Sequence, residues 1–171
     1  SCCHADFISF LGGDDIYIQG KVKKQVEWFV NNPDGVVCGH DTQYFDSNSG
    51  ANLFLYTEKH EPLTSGKGVD YFEKTTCPFD ALSIMVRRTA IPAIGFDWRI
   101  PVCSDWKLWF DILAQGGAYG FVDGVYCKHR ITGKNITASN ASSYNMLIAF
   151  KIVKDQYPQY AAVCDRYLQA Y

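Results

Sequence analysis

The sequence has little charge of either sign to spare. Its 16 Lys and Arg against 18 Asp and Glu leave a formal net charge of −2, which points away from nucleic acid and from an anionic membrane surface as partners. No apolar run approaches the length of a transmembrane helix, and no signal peptide is visible. No internal repeat and no low-complexity segment interrupts the chain, so a single domain over residues 1–171 without a linker is the simplest partition. There is no Cys-x-x-Cys. The seven cysteines (Cys2, Cys3, Cys38, Cys77, Cys103, Cys127 and Cys164) are odd in number and widely spaced, which argues against a disulfide framework and a zinc knuckle. They are expected as buried free thiols in a reducing compartment. Cys2-Cys3-His4 and Cys38-Gly39-His40 are fragments with soft-metal chemistry, but each is better read as structural. A Gly-rich phosphate loop with a partnered Lys is also missing, which weighs against a nucleotidyltransferase.

What is present is an ordinary globular composition. Hydrophobic residues make up 47% and charged residues 20% of 171 positions, enough for one domain with a real core. Aromatic residues reach 15%. A thick core accounts for them more simply than sugar-stacking surfaces do.

One stretch organises the rest. Phe7-Ile8-Ser9-Phe10-Leu11 reads as a strand covered on both faces, stopped by Gly12-Gly13 and followed by Asp14-Asp15. The two carboxylates then sit outside a strand's carboxyl end, where open α/β sheets bind ligands. Carboxylates there suit a hard cation, Mg2+ or Mn2+, with phosphate as co-ligand. A solvated Asp-Asp turn is the plain alternative.

Residues 20–31 are expected to form a helix with Val22, Val26, Phe29 and Val30 on its buried face and Lys21, Lys23 and Lys24 in solvent. Val36–His40 reads as the next strand. A hairpin turn over 46–50 leads to a returning strand from Asn52 to Tyr56. Residues 57–70 form a polar irregular loop containing Pro62. Leu82–Arg88 reads as a buried strand ending in two arginines, which must face opposite ways. A helix opens at Ser104, a plausible N-cap, and ends at Gln115-Gly116-Gly117. Tyr119–Val122 and Gly124–Arg130 read as two strands of a hairpin turning at Asp123-Gly124. A helical tail occupies about 143–171, broken at Pro158.

Three motifs resemble family 2 glycosyltransferases of the GT-A fold. Ile8–Tyr17 with the following helix is similar to the family's metal-binding Asp-x-Asp segment. Ser83-Ile84-Met85-Val86-Arg87-Arg88 with Gly95-Phe96-Asp97, then Ser104-Asp105-Trp106, resembles the approach to the family's catalytic acidic residue. His129-Arg130-Ile131-Thr132-Gly133-Lys134-Asn135-Ile136-Thr137 resembles its diphosphate loop, with Arg130, Asn135 and Thr137 on matching positions. Three positions depart from the pattern: Gly12 stands for the first Asp, Trp98 for an acidic residue and Thr132 for a His.

The resemblance covers about residues 5–137. It implies an α/β fold, a mixed sheet flanked by helices, that is GT-A like (nucleotide-diphospho-sugar transferase) and truncated at the N-terminus, with the nucleotide-binding half missing. It implies Asp14 as the ligand of Mn2+ or Mg2+, assisted by Asp15. Asp105 is the implied base that takes the proton of the acceptor hydroxyl, held ionised by its helix N-terminus. Arg130 and His129 approach the donor diphosphate. Trp106 is a candidate to line the site, Trp109 belongs to the core, and one of Arg87 and Arg88 could reach the site. The implied reaction is metal-dependent, inverting transfer of a sugar from a nucleoside-diphosphate sugar to a carbohydrate or lipid-linked acceptor in polysaccharide or glycoconjugate synthesis. The implied setting is the cytoplasm, with peripheral association at the inner face of the membrane as an option. The competing reading is a catalytically inactive fragment or nucleotide/sugar-binding module of the same fold.

Overall fold

The computed structural model describes residues 4–60, 64–133, 135 and 140–170. Cys2, Cys3, Pro62, Lys134, Ile136 and Thr137, all invoked above, lie outside the described residues. Among the described residues the sheet has seven strands: β1 (Phe7–Ser9), β2 (Ile16–Tyr17), β3 (Gly35–Asp46), β4 (Asn52–Leu55), β5 (Gly66–Lys67), β6 (Met85–Arg87) and β7 (Ala118–Ile131). They run in the order β1-β6-β3-β7-β2, with β4 beside β3 and β5 beside β7. β3 and β7 are parallel, and the other pairings are antiparallel. The sheet is therefore mixed, and the fold is α/β as expected.

Among the described residues the α-helices are α1 (Lys21–Asn31), α2 (Ser104–Ala114), α3 (Asn140–Gln156) and α4 (Ala161–Ala170). None is long and apolar enough to cross a membrane. α2 is buried on all sides from Trp106 to Leu113, its polar residues Lys107 and Asp111 included. Its Lys107 ammonium is matched internally by Asp111, with Nζ 2.5 and 2.6 Å from the two carboxylate oxygens. The tail helices share this core. Phe72 meets Phe110 at 4.9 Å between ring centroids, Trp106 meets Phe150 at 5.4 Å, and Phe150 stacks on Tyr167 at 5.2 Å. The high aromatic content goes largely into this cluster, where each fully buried large side chain contributes about 1.5–3 kcal/mol.

Three local expectations are corrected. α1 forms over the expected residues, but its buried face is Lys21, Gln25 and Phe29, while Val22 and Val30 are 55% and 70% exposed. The reason lies beneath the helix. Gln25 Nε2 donates to the carbonyls of Cys38 and Ser83, both at 2.7 Å, and Lys21 Nζ donates to Ser83 O at 2.8 Å. Those carbonyls need donors once buried, and two long polar side chains supply them at the cost of leaving two valines in water.

The second correction concerns 118–131. No hairpin forms at Asp123-Gly124; β7 is one continuous strand. Its register against β3 passes from Gly39↔Phe121 to Asp41↔Val125, so β7 spends extra residues there in a bulge. Gly124 takes φ +111, a region open mainly to glycine. A turn signal read along the chain is thus a bulge, because the long partner β3 continues alongside.

The third correction is small. Ser104 is the first helical residue, the cap position falls on Cys103, and no side chain caps the helix there.

Candidate active site

β1 ends at Ser9, whose hydroxyl donates to Ile84 O at 3.0 Å and so ties β1 to the approach of β6. The Tyr17 hydroxyl closes the loop behind it by donating to Phe10 O. Between them lie Gly12 to Asp15. Asp15 accepts the backbone N–H of Arg130 on Oδ1 at 2.8 Å. Arg130 in turn donates from Nε to the Asp14 carbonyl at 2.6 Å. These two bonds fasten the Asp14-Asp15 loop to the far end of β7. The Arg130 guanidinium lies 4.6 Å over the Phe45 ring, and no bond from its two terminal nitrogens to a described residue is formed. Arg130 is therefore half a loop clamp and half a free cationic fork, a geometry suited to phosphate oxygens.

The missing first carboxylate has a steric counterpart. A Cβ on Gly12 would lie 2.4 Å from Asp15 Oδ2. Asp15 Oδ1 accepts the Arg130 N–H, so a side chain at position 12 would push the Asp15 carboxylate against that bond.

Asp105 sits in the first turn of α2. Its Oδ1 accepts the Trp106 N–H at 2.8 Å. Burial pushes its carboxyl above the usual range, only partly offset by that N–H, and the nearby charge of Asp80 adds to the rise. Desolvation thus outweighs the helix terminus at this carboxyl. A raised carboxylate is the better proton acceptor.

A cavity of about 210 Å3 brings Asp105 together with His129, Asp80, Tyr44, Trp106 and Trp109. Trp106 donates its indole N–H to Thr76 O at 2.7 Å and lines the cavity. Trp109 is 2% exposed and belongs to the core as well as to the cavity wall. Asp14 and Asp15 do not line it. They stand on the neighbouring loop, and both act electrostatically on His129. A larger cavity, about 670 Å3, is lined by Ser65, Asp70, Lys74 and Tyr119 among others; none of the residues singled out from the sequence lines it.

Asp80 and Tyr44 escaped the sequence reading. Asp80 is the cap of a short 3-10 turn, Ala81–Ser83, and accepts the Leu82 N–H at 3.0 Å. Its other oxygen accepts the Tyr44 hydroxyl at 2.6 Å and faces His129 Nδ1 at 3.8 Å. In sequence Asp80 is indistinguishable from an ordinary turn cap. Burial works against its charge, yet His129, the Tyr44 hydroxyl and the Leu82 N–H together hold its carboxyl below the usual range. Burial also works against the His129 imidazolium, but Asp80, Asp15 and Asp14 outweigh it and raise its pKa. Asp15 is raised, chiefly by burial, despite the Arg130 N–H and His129.

The other candidates fall elsewhere. Arg87 donates from Nε to Gly35 O at 2.9 Å and lies over the rings of Phe7 and Phe29. Arg88 donates from Nε to Ala5 O at 2.7 Å. Both brace backbone, and neither lines the Asp105 cavity. Asp97 is buried and binds Arg99 through both carboxylate oxygens, at 2.9 and 2.6 Å, while Trp98 is 82% exposed. Asn135 accepts the Thr132 N–H at 2.8 Å and donates to Arg130 O at 2.8 Å. The loop beyond β7 is thus pinned by an amide at its start. The thiols of Cys38, Cys77 and Cys127 are pushed up to about 12 by burial, so they are structural and not nucleophilic. His40 points its ring nitrogens at Lys21 and at Asp41 O, which leaves no soft-metal site at Cys38-Gly39-His40.

Among the described residues no group of three or more His, Cys, Asp or Glu side chains could hold a metal ion by itself. The exposed Asp14 with Asp15 fits the other mode of Mg2+ or Mn2+ binding, in which one or two carboxylates share the ion with substrate phosphates and water.

No protein-family model matches the chain. Three curated proteins are similar to it. An uncharacterized glycosyltransferase of Haemophilus influenzae is 25% identical over 114 residues, 67% of this chain and 40% of that protein. The amylovoran biosynthesis glycosyltransferase AmsE of Erwinia amylovora is 22% identical over 157 residues, 87% of this chain and 57% of that protein. The UDP-Glc:alpha-D-GlcNAc-diphosphoundecaprenol beta-1,3-glucosyltransferase WfgD of Escherichia coli is 25% identical over 134 residues, 78% of this chain and 49% of that protein. The chain thus spans about half the length of the curated relatives it matches. All three are named glycosyltransferases, and the chain is a relative of such enzymes.

Proposed function

We propose that the chain carries the acceptor-side and metal-side machinery of an enzyme that transfers a sugar from a nucleoside-diphosphate sugar to an acceptor hydroxyl, with inversion at the anomeric carbon. The observation that carries this reading is the cavity that unites Asp105 with His129, beside a loop on which Asp14 and Asp15 are tied to Arg130. The names of two relatives, which specify polysaccharide biosynthesis and an undecaprenol-linked acceptor, support a carbohydrate or lipid-linked acceptor in glycoconjugate synthesis.

In this reading the acceptor hydroxyl lies within reach of Asp105. As its oxygen forms a bond to the anomeric carbon, the proton passes to the Asp105 carboxylate and the bond from that carbon to the diphosphate oxygen breaks. The leaving nucleoside diphosphate departs with the electron pair. Arg130 and His129 supply positive charge where negative charge develops on it. Asp14, assisted by Asp15, would hold a Mn2+ or Mg2+ ion, whose chemistry when bound is Lewis-acid stabilisation of the diphosphate. Trp106 walls the acceptor side against water.

Thermal unfolding with Mn2+ against UDP, GDP, dTDP and CMP tests the donor side, since a ligand of the folded state raises Tm by mass action. A rise that requires both metal and one nucleotide and is lost in Asp14→Ala is expected. Nucleotide binding with no sugar transfer in any donor–acceptor pair would favour a binding module instead. No rise with any nucleotide removes the assignment of donor binding to this chain.

A further inference from the structure

Asp80 is 6% exposed and both its carboxylate oxygens are engaged. Oδ1 takes the Leu82 N–H and Oδ2 the Tyr44 hydroxyl, so the carboxylate has one orientation at the cavity wall. Oδ2 also faces His129 Nδ1 at 3.8 Å. That separation is too long for a hydrogen bond and short enough for a strong charge pair. Nδ1 is itself buried and has no hydrogen-bond partner. Tyr44 covers one face of the same imidazole, with centroids 4.5 Å apart and planes 13° apart, and Phe54 stacks on the far face of Tyr44 at 4.7 Å. Strand pairing places Tyr44 directly opposite His129. One edge and one face of the ring are therefore held by Asp80 and Tyr44. The second nitrogen, Nε2, forms no hydrogen bond with a described residue, and the side chain keeps 20% exposure at a cavity that also holds Asp105.

We propose that Asp80, braced by Tyr44, is a positioning residue that keeps His129 Nδ1–H turned to the buried carboxylate and directs Nε2–H into the cavity as a donor to a phosphate oxygen of the nucleoside diphosphate. The ligand part of this inference rests on the glycosyl-transfer reading; the ring orientation does not. The charged groups that bear on the ring are Asp80 from the turn before β6 and Asp15 and Asp14 from the loop after β1. With Nδ1–H turned to Asp80 at 3.8 Å, donation to a phosphate oxygen is left to Nε2–H. Asp80 acts only through His129 and touches no reacting atom.

The test uses 15N NMR of the histidine ring together with a mutant cycle on nucleotide affinity. When the wild-type ring is neutral its proton is expected on Nδ1; in Asp80→Asn it shifts towards Nε2. A wild-type ring with its proton mainly on Nε2, or a tautomer unmoved by Asp80→Asn, overturns the orientation. With Mn2+ and the nucleoside diphosphate that gives the largest thermal shift, Asp80→Asn and His129→Gln are each expected to weaken binding about tenfold, the scale of one charge-assisted hydrogen bond. The double variant is expected to be no weaker than His129→Gln alone. Fully additive losses would make Asp80 a fold residue and overturn its action through His129. If the wild-type chain binds no nucleotide, the phosphate role fails with the glycosyl-transfer reading, and the tautomer result still decides the orientation on its own. Should Asp80→Asn not fold, the wild-type tautomer decides the orientation by itself: a neutral ring with its proton mainly on Nε2 overturns it.

Discussion

Lys21 Nζ and His40 Nε2 lie 3.1 Å apart in the protein interior, and no carboxylate among the described residues bonds to the amine. Lys21 has instead the oxygens of Gln25 and Ser83 at 2.8 Å each. The amine donates, so His40 accepts on Nε2 and carries its proton on Nδ1, which donates to Asp41 O at 2.7 Å. His40 is therefore a neutral ring by construction. Burial first, then the Lys21 charge, lowers its pKa to about 4, and burial lowers Lys21 to about 8.

A pH dependence of stability follows from His40. The unfolded chain takes up a proton near pH 6.5, while the folded chain does so only near 4. Stability is thus lost as pH falls through that window, by roughly 3 kcal/mol at most. Urea unfolding of the wild type and His40→Asn at pH 7 and pH 4.5 measures it. The wild type should lose clearly more than the variant; equal losses would mean that His40 titrates normally.

The orientation of α1 makes a contrast of two variants. Gln25→Leu removes the donors of the buried Cys38 and Ser83 carbonyls and should cost about 1–3 kcal/mol. Val30→Lys, at a position 70% exposed, should change stability by less than about 0.5 kcal/mol. A helix turned by the apolar pattern alone would give the reverse order in chemical denaturation.

Gly12→Ala should act on the ligand more than on the fold. Its Cβ would meet Asp15 Oδ2, and relief displaces a carboxylate whose other oxygen accepts the Arg130 N–H. Titration calorimetry with Mn2+ and the preferred nucleotide should show affinity reduced about tenfold, the worth of one charge-assisted bond. An unchanged affinity would show that the Asp15 position is irrelevant to donor binding.

Asp105→Asn should reduce transfer by at least about 100-fold while leaving nucleotide affinity unchanged. In the wild type, the rate should fall on the acid side at a pH above the ordinary carboxylate range, because burial raises this group and only its ionised form accepts a proton. Initial rates across pH on both proteins check this; a variant that retains full rate removes Asp105 from the reaction.

Local pattern and tertiary partner contribute in different proportions along this chain. The place of the strand from Phe7 and of the carboxylates after it was legible, but not its burial: β1 spans only Phe7–Ser9 at the edge of the sheet, is half-buried, and leaves Leu11 50% exposed. The helix from Ser104, with Asp105 in its first turn, was legible too. The hairpin expected at Asp123-Gly124 was not, because glycine marks a bulge and a turn equally well. Only the long partner β3 decides between them.

The sequence alone determined an α/β chain with acidic residues at two element ends and a basic residue near the end of the last strand. These are properties of neighbours in the chain, where periodicity and turn chemistry act. The apolar pattern pointed to the wrong face of α1, because burial there depends on carbonyls of Cys38 and Ser83 that need donors. Nothing in the sequence signalled Asp80 or Tyr44. Their role arises only when parallel pairing of β3 and β7 sets Tyr44 against His129 and the turn before β6 carries a buried carboxylate to both. The balance of burial against neighbouring charges and hydrogen bonds, which shifts Asp80 down and Asp105 and His129 up, is a property of the packed molecule and of no segment within it.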